Sequence, residues 1–259
     1  MKILICNDDG IESNGLKALV EEFARDNEVL VVAPRDNMSA VSHSLSLGKP
    51  IELREAFNFK NCKAYSVTGY PADCVKIARH VFSEFVPDVV LSGINKGHNF
   101  GSDILYSGTV SIAFEAAFFG HNAFAFSAYS HGESDFKLFA GYARKIVEDL
   151  LPVSDDKTVW NVNFPDAGSE VKGVRAAKLG NCIYKDFYDE IADSIYILRS
   201  ETQTDGFNAE DTDIALIERG YVAVTPLAYD RTDVPKLCRA DEIVKKINAF
   251  GGAGEKQNA

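Results

Sequence analysis

The sequence predicts an α/β fold: a Rossmann-like, doubly wound, mainly parallel sheet with helices on both faces. Three observations predict it. Short apolar runs recur through the first half, at Lys2–Cys6, Val29–Ala33, Val89–Leu91 and Ala123–Ser127. Segments with apolar residues at helical spacing lie between them, as at Leu16, Leu19, Val20 and Phe23. The first two runs end in turn chemistry, Asn7-Asp8-Asp9-Gly10 and Pro34. Strands buried on both faces read as continuous apolar runs, and repeated strand–helix–strand order places them parallel with crossover helices.

The elements follow in order. Pro71 opens a helix through Val75, Ile77, Ala78 and Val81, since proline is tolerated in a first turn. Pro87–Gly93 is a strand running into a loop, and Ser107-Gly108-Thr109 starts an Ala- and Phe-rich helix reaching about Phe119. Phe136–Leu150 fits an amphipathic helix and Thr158–Val162 a strand. The second half differs. Val174 to about Gly206 is short-patterned and aromatic (Tyr184, Phe187, Tyr188, Tyr196), which predicts hairpins on an extension. Asp211–Glu218 reads as helix, Tyr221–Leu227 as strand and Ala240–Phe250 as a last helix. Gly251–Gly254 and the polar tail after it are expected to fray.

Composition narrows the function. The 259 residues are 46% hydrophobic and 25% charged, as in an ordinary globular chain that buries a core without staples. Lys and Arg number 27 against 38 Asp and Glu, a net charge of −11, which argues against a nucleic-acid polymer as partner. A small phosphorylated substrate stays open, because one metal ion supplies local positive charge. The cysteines Cys6, Cys62, Cys74, Cys182 and Cys238 form no CxxC pair and read as free thiols of a reducing compartment. No membrane span and no signal-peptide pattern is found, so a cytoplasmic location is expected.

Ligands of open α/β sheets bind beyond the carboxyl ends of the strands, and four strand ends carry polar clusters. Asn7-Asp8-Asp9-Gly10 sets two carboxylates side by side, which calls for a cation, a shared proton or solvent; the alternative is a helix cap. Hard oxygen ligands favour Mg²⁺, Mn²⁺ or Ca²⁺ over zinc. Asn37-Met38-Ser39-Ala40-Val41-Ser42-His43 offers amides and hydroxyls for metal or phosphate, with His43 a candidate acid or a structural residue. Ser92–Asn99 brings glycines, the neutral oxygen of Asn95 and the cation of Lys96. Ser107-Gly108-Thr109 at a helix start is either an anion cradle or an ordinary cap. Together they are the parts that metal-assisted phosphoryl hydrolysis requires.

These residues resemble the survival protein E (SurE) family of 5′/3′-nucleotidases. The likeness runs from Met1 to about Pro235 and is carried by ILICNDDGIESNGLKAL, VVAPRDNMSAVSHSLSL, VTGYPADCVKIA, DVVLSGINKGHNFGSDILYSGTVSIAFEA, NVNFP and DTDIALIERGYVAVTPL. It implies one SurE-like domain over residues 1–259. About 1–170 would be the Rossmann-like core, and about 171–259 the hairpin extension, returning strand and C-terminal helix. It implies one divalent cation per subunit, Mg²⁺ or Mn²⁺, on Asp8, Asp9, Ser39 and Asn95. Ser39, Asn95, Ser107, Gly108 and Thr109 would bind phosphate, and Asp8, Asp9 and Asn95 would be catalytic. The implied substrate is a nucleoside 5′-monophosphate, with 3′-monophosphates and short-chain polyphosphate as further candidates. The implied assembly is a homodimer or homotetramer in which a C-terminal segment is exchanged between subunits. One departure is visible: the family often has Gly after the metal-binding Ser, where this chain has Ala40.

On this reading Asp8 or Asp9 is the general base, or Asp8 itself attacks phosphorus. Three rivals have less support. A haloacid-dehalogenase-type enzyme needs Asp-x-Asp after its first strand. A receiver domain needs an acceptor Asp after its third strand, and none occurs between Asp36 and Asp73. A non-catalytic nucleotide-binding regulator has no need of the complete ligand set.

Overall fold

The computed structural model describes residues 1–59, 61–130, 132–166, 168–203 and 208–253. The chain forms two compact units, Met1–Leu227 and Ala228–Ala259.

The first unit runs β1 (Lys2–Cys6), α1 (Asn14–Phe23), β2 (Glu28–Pro34), β3 (Leu53–Phe59), β4 (Cys62–Val67), α2 (Pro71–Val81), β5 (Val89–Lys96), α3 (Gly108–Phe118), β6 (Asn122–Ala128), α4 (Glu133–Leu150) and β7 (Thr158–Phe164). Then come β8 (Val174–Ala176), β9 (Ile183–Ala192), β10 (Ile195–Gln203), α5 (Asp213–Glu218) and β11 (Val222–Ala228). Nine strands make one sheet, ordered β3-β4-β2-β1-β5-β6-β7-β11-β8. β1 pairs in parallel with β2 and β5, β2 with β4, β5 with β6, β6 with β7, and β8 with β11. β3 lies antiparallel on β4 at the edge. The expected mainly parallel α/β sheet is therefore present.

Alternate side chains of one strand point to opposite faces, and β1 shows what that does. Ile3 and Ile5 pack into a core shared with Leu16, Leu19 and Phe23 of α1 and Phe139 and Val147 of α4. Leu4 and Cys6 pack into a second core with Val75 and Ala78 of α2 and Val110 and Ile112 of α3. Chain order reverses between β1 and β5: β2 and β4 lie on one side of β1, and β5 and β6 on the other. Loops leaving two neighbouring strands in opposite directions open a crevice at their carboxyl ends.

Four features differ from the expectation. The β3–β4 hairpin was not foreseen, because its strands are mixed in polarity (LREAFNF and CKAYSV) and lack a glycine turn. α4 starts at Glu133, earlier than Phe136. Of the aromatic region, β9 and β10 form one hairpin, whereas β8 joins the main sheet beside β11. The last helix, α6, spans Val234–Ala253, so it begins well before Ala240 and continues through the glycines expected to fray. Its start carries signals that explain this: Asp233 Oδ1 accepts from Lys236 N at 3.2 Å, and Pro235 sits in the first turn. Residues 204–207 and the tail 254–259 lie outside the described residues. Among the described residues, no helix is long and apolar enough to cross a membrane.

Candidate active site

The crevice between β1 and β5 is where the predicted residues meet. Asn7 locks the turn after β1: its Nδ2 donates to Gly10 O at 2.9 Å and to Ser13 Oγ at 2.7 Å. Gly10 adopts φ 100°, a left-handed conformation that a side chain would strain. The turn presents Asp8 and Asp9 differently. Asp8 is 3% exposed. Its Oδ1 accepts a hydrogen bond from Thr109 Oγ1. Asp9 is half-buried; its Oδ2 accepts from Lys96 N at 2.7 Å and its Oδ1 from Asn37 Nδ2 at 3.3 Å.

Burial is the main influence on both carboxyls. It pushes Asp8 up to about 7, with the neighbouring Asp9 adding to the rise and Thr109 opposing it. Asp9 is also raised by burial, against the pull of the Lys96 backbone N–H and its charge. Two adjacent carboxyls buried this way favour a cation beside them. The remaining donors suit a hard cation. Asn95 Nδ2 donates to Gly97 O at 2.9 Å, which fixes the amide orientation. Among the described residues, no group of three or more His, Cys, Asp and Glu is placed to hold a metal, so a site here must use neutral oxygens beside the acidic pair.

Ser39 lies on the exposed loop after β2. Two neighbours bring this loop to the acidic turn: Met38 N donates to Asp8 O at 2.8 Å and Asn37 Nδ2 to Asp9 Oδ1 at 3.3 Å, while Ser39 N donates to Asn37 Oδ1 at 3.0 Å within the loop. Ala40 and Ser42 have φ of 58° and 54°. The position where the sequence departs from the family pattern is thus one where the backbone itself favours glycine.

α3 enters from the other side. Ser107 caps it, accepting from Val110 N at 3.0 Å, so the cap reading holds for that oxygen. The positive end of α3 still favours an anion. Thr109 is committed to Asp8, an arrangement that spacing alone did not reveal. Gly108 packs directly on Asp8: a Cβ there would stand 2.8 Å from both Asp8 Cβ and Oδ2, and 3.0 Å from Pro71 Cγ. A cleft of about 270 Å³ adjoins the pair, bordered by Asp9, Ser13, Asn37, Lys96, Ser130 and Phe136. A larger cavity of about 1080 Å³ opens at the opposite, amino ends of the strands, beside Lys2, Glu28 and Cys62. It contains none of the residues above.

Other polar residues are structural. Asn99 is buried behind the Asn95 loop, its O accepting from Asn161 Nδ2 at 2.7 Å and Asn163 Nδ2 at 3.0 Å. His98 Nε2 bonds Phe164 O at 2.9 Å, and burial lowers its proton affinity. Asp213 is fully buried and accepts from Gly101 N at 2.8 Å and Gly180 N at 2.7 Å, tying α5 to the loop that leads into α3.

The pattern of the Survival protein SurE family matches residues 3–186, well over half of the chain. The chain belongs to the SurE family. The 5'-nucleotidase SurE of Caldanaerobacter subterraneus subsp. tengcongensis is 36% identical over 254 residues, 96% of each chain. That of a Thermoanaerobacter species is 39% identical over 244 residues, covering 90% of this chain and 94% of the relative. The crystal structure of the SurE protein from Aquifex aeolicus superposes with a TM-score of 0.80 at 35% identity, over 94% of this chain and 99% of that one. The SurE match includes every residue of the crevice described above.

Proposed function

We propose that the protein is a divalent-metal-dependent phosphomonoesterase that hydrolyses nucleoside 5′-monophosphates to nucleoside and phosphate. The observation that carries this is the contact between Asp8, buried at the end of β1, and Gly108-Thr109 at the start of α3. It sets a cation-demanding carboxylate against an anion-favouring helix terminus, which is the charge pattern of a metal and a phosphate side by side. The names of the SurE relatives support the substrate class.

Asp8, Asp9, Ser39 and Asn95 would hold one Mg²⁺ or Mn²⁺. When bound, the ion supplies Lewis acidity toward a phosphate oxygen and lowers the pKa of water. Asp9, the less buried carboxylate, accepts the attacking water's proton. Asp8, pinned by Thr109, would be one of its carboxylate ligands. Ser107, Gly108 and the end of α3 hold the non-bridging oxygens, and Asn95 orients the phosphate. Lys96 adds positive charge at the cleft mouth.

Phosphate release from a panel of nucleoside 5′- and 3′-monophosphates and short polyphosphate, with and without EDTA, tests the assignment. EDTA-sensitive release is expected, lost in Asp9→Asn and Asn95→Ala. Release that survives EDTA, or both variants turning over like the wild type, would overturn it.

The same proposal includes self-association as a dimer or tetramer with the C-terminal segment exchanged. Tyr188, Ile191, Tyr196 and Leu198 on the β9–β10 hairpin are exposed. So are Val234, Leu237 and Val244 of α6. Apolar surface of this extent on a monomer marks association. Light scattering that finds only monomers at micromolar concentration would remove this part.

A further inference from the structure

α3 is apolar almost throughout, and every residue from Gly108 to Ala117 is buried. One of them is a charge. Glu115 is 5% exposed, and no role described so far uses it. A buried carboxylate costs several kcal/mol unless it is paired. Glu115 has two partners from two other segments: Lys76 Nζ of α2 stands 2.5 Å from Oε1, and His43 Nε2 stands 2.7 Å from Oε2. Lys76 also lies over the Phe119 ring, 4.9 Å from its centroid, which fixes the ammonium in place.

His43 belongs to the loop that carries Ser39, and that loop needs fixing. No helix or strand lies between Pro34 and Leu53. Two residues within it, Ala40 and Ser42, stand in the left-handed region. Non-glycine residues persist there only when the surroundings over-determine them. In front of Ser39 the loop is held by Met38 N to Asp8 O, at 2.8 Å, and by Asn37 Nδ2 to Asp9 Oδ1, at 3.3 Å. Behind it Ser42 N donates to Tyr106 O at 3.0 Å and His43 reaches Glu115, and farther on Ser46 N donates to Asp73 Oδ2 at 3.0 Å. The two rear anchors nearest Ser39 sit on α3 or on the residue just before its cap. The segment from Ser39 to His43 is therefore strung between the strand that bears the acidic pair and the helix that bears the phosphate cradle.

We propose that Glu115 grips His43 and so fixes Ser39 over the Asp8–Asp9 pair, making His43 and Glu115 positioning residues for the metal. The inference rests on the reading of Ser39 as a metal ligand. It assigns the lone charge of α3 to geometry: the helix that cradles phosphate also sets the reach of a ligand on a separate loop. Lys76 keeps that charge in place without touching the loop.

The test is calorimetric titration of the metal-stripped protein with Mn²⁺ alone, beside thermal unfolding in EDTA. His43→Ala is expected to weaken Mn²⁺ binding about tenfold, the loss typical when a residue orienting a ligand is removed. Its midpoint in EDTA falls by a few degrees, because Glu115 loses one of its two partners while Lys76 still holds it. His43→Gln, which can still donate to Glu115, regains most of the affinity. In turnover assays His43→Ala needs more metal for half-maximal rate, while kcat at saturating metal changes less than about threefold. Unaltered Mn²⁺ affinity in His43→Ala overturns the inference, as does a loss that His43→Gln shares in full. A wild-type protein that binds no Mn²⁺ overturns the metal site itself, a separate outcome visible before any variant is made.

Discussion

The crevice between β1 and β5 and the β9–β10 arm are both additions to the same apolar core, yet their side chains are disposed in opposite ways. In the crevice the polar groups turn toward one another, from the buried Asn7 and Asp8 to the half-buried Asp9: Asn7 bonds Gly10, Asp8 bonds Thr109, and Asp9 bonds Lys96 and Asn37. In the arm the apolar groups face outward, with Tyr188 67% and Ile191 58% exposed. Among the described residues the arm is tied to the core near its root, where Cys182 N donates to Ser102 Oγ at 3.3 Å and Tyr184 bonds Asp103. The crevice residues find their partners within one chain. The arm is paired along nine positions, but many of its apolar side chains stay exposed among the described residues.

That contrast sets the expected size of perturbations. Gly108→Ala should have the largest effect. Its methyl group meets Asp8 at 2.8 Å, and a displacement of this kind costs about a hundredfold in kcat/KM. Phosphate-release kinetics near the wild-type rate would show that the crevice has room after all. Gly15→Ala tests the floor of the site. A Cβ at Gly15 would stand 1.9 Å from Ile94 O of β5, so α1 must move off the sheet. A loss of about 3 kcal/mol is expected, lowering the thermal midpoint by roughly 10 °C.

Acid should act through Glu115. Burial alone would raise its carboxyl, but His43 and Lys76 outweigh that and hold it below the ordinary glutamate value. A carboxyl depressed by folding stabilises the native state at neutral pH. That contribution disappears as pH falls through its folded value, below about 4.5. The wild-type midpoint should therefore fall more steeply with acid than that of Glu115→Gln; parallel curves would show that the pairs contribute nothing.

Ala40→Gly should stabilise, by about 0.5–1 kcal/mol, because relief at φ 58° exceeds the added freedom of the unfolded chain. Denaturant midpoints would check it. The smallest effect belongs to the arm. Tyr188→Ser with Tyr196→Ser should change phosphate release per chain less than about twofold while sharply increasing solubility of any monomer. A large loss of turnover would mean that the arm shapes the crevice, and the two regions would no longer be independent.

The sheet was legible where strands are buried on both faces, because β1, β2, β5 and β6 leave uninterrupted apolar runs. It was illegible at the edge: β3 is half-exposed, so its alternation is diluted by Arg54, Glu55 and Asn58. The start of α6 was missed although Asp233 and Pro235 mark it, since the apolar spacing becomes regular only later. The four strand-end clusters could be ranked as candidates from the sequence because the strand-end rule needs only strand order. What the sequence hides are bonds between them. Nothing in Ser107-Gly108-Thr109 tells that Thr109 turns to Asp8, 101 residues away. Nothing in the sequence of α3 tells that Glu115 meets His43, 72 residues away in the chain.

The Asp9–Lys96 hydrogen bond joins positions 87 residues apart. Loop closure over that span must be completed before it exists. A ribosome that has released only β1 through β4 has therefore made the acidic turn but not the binding site. The cation site proposed on Asp8, Asp9, Ser39 and Asn95 would therefore be assembled only once β5 has joined β1, so its choice of ion would belong to the finished crevice and not to the acidic turn alone.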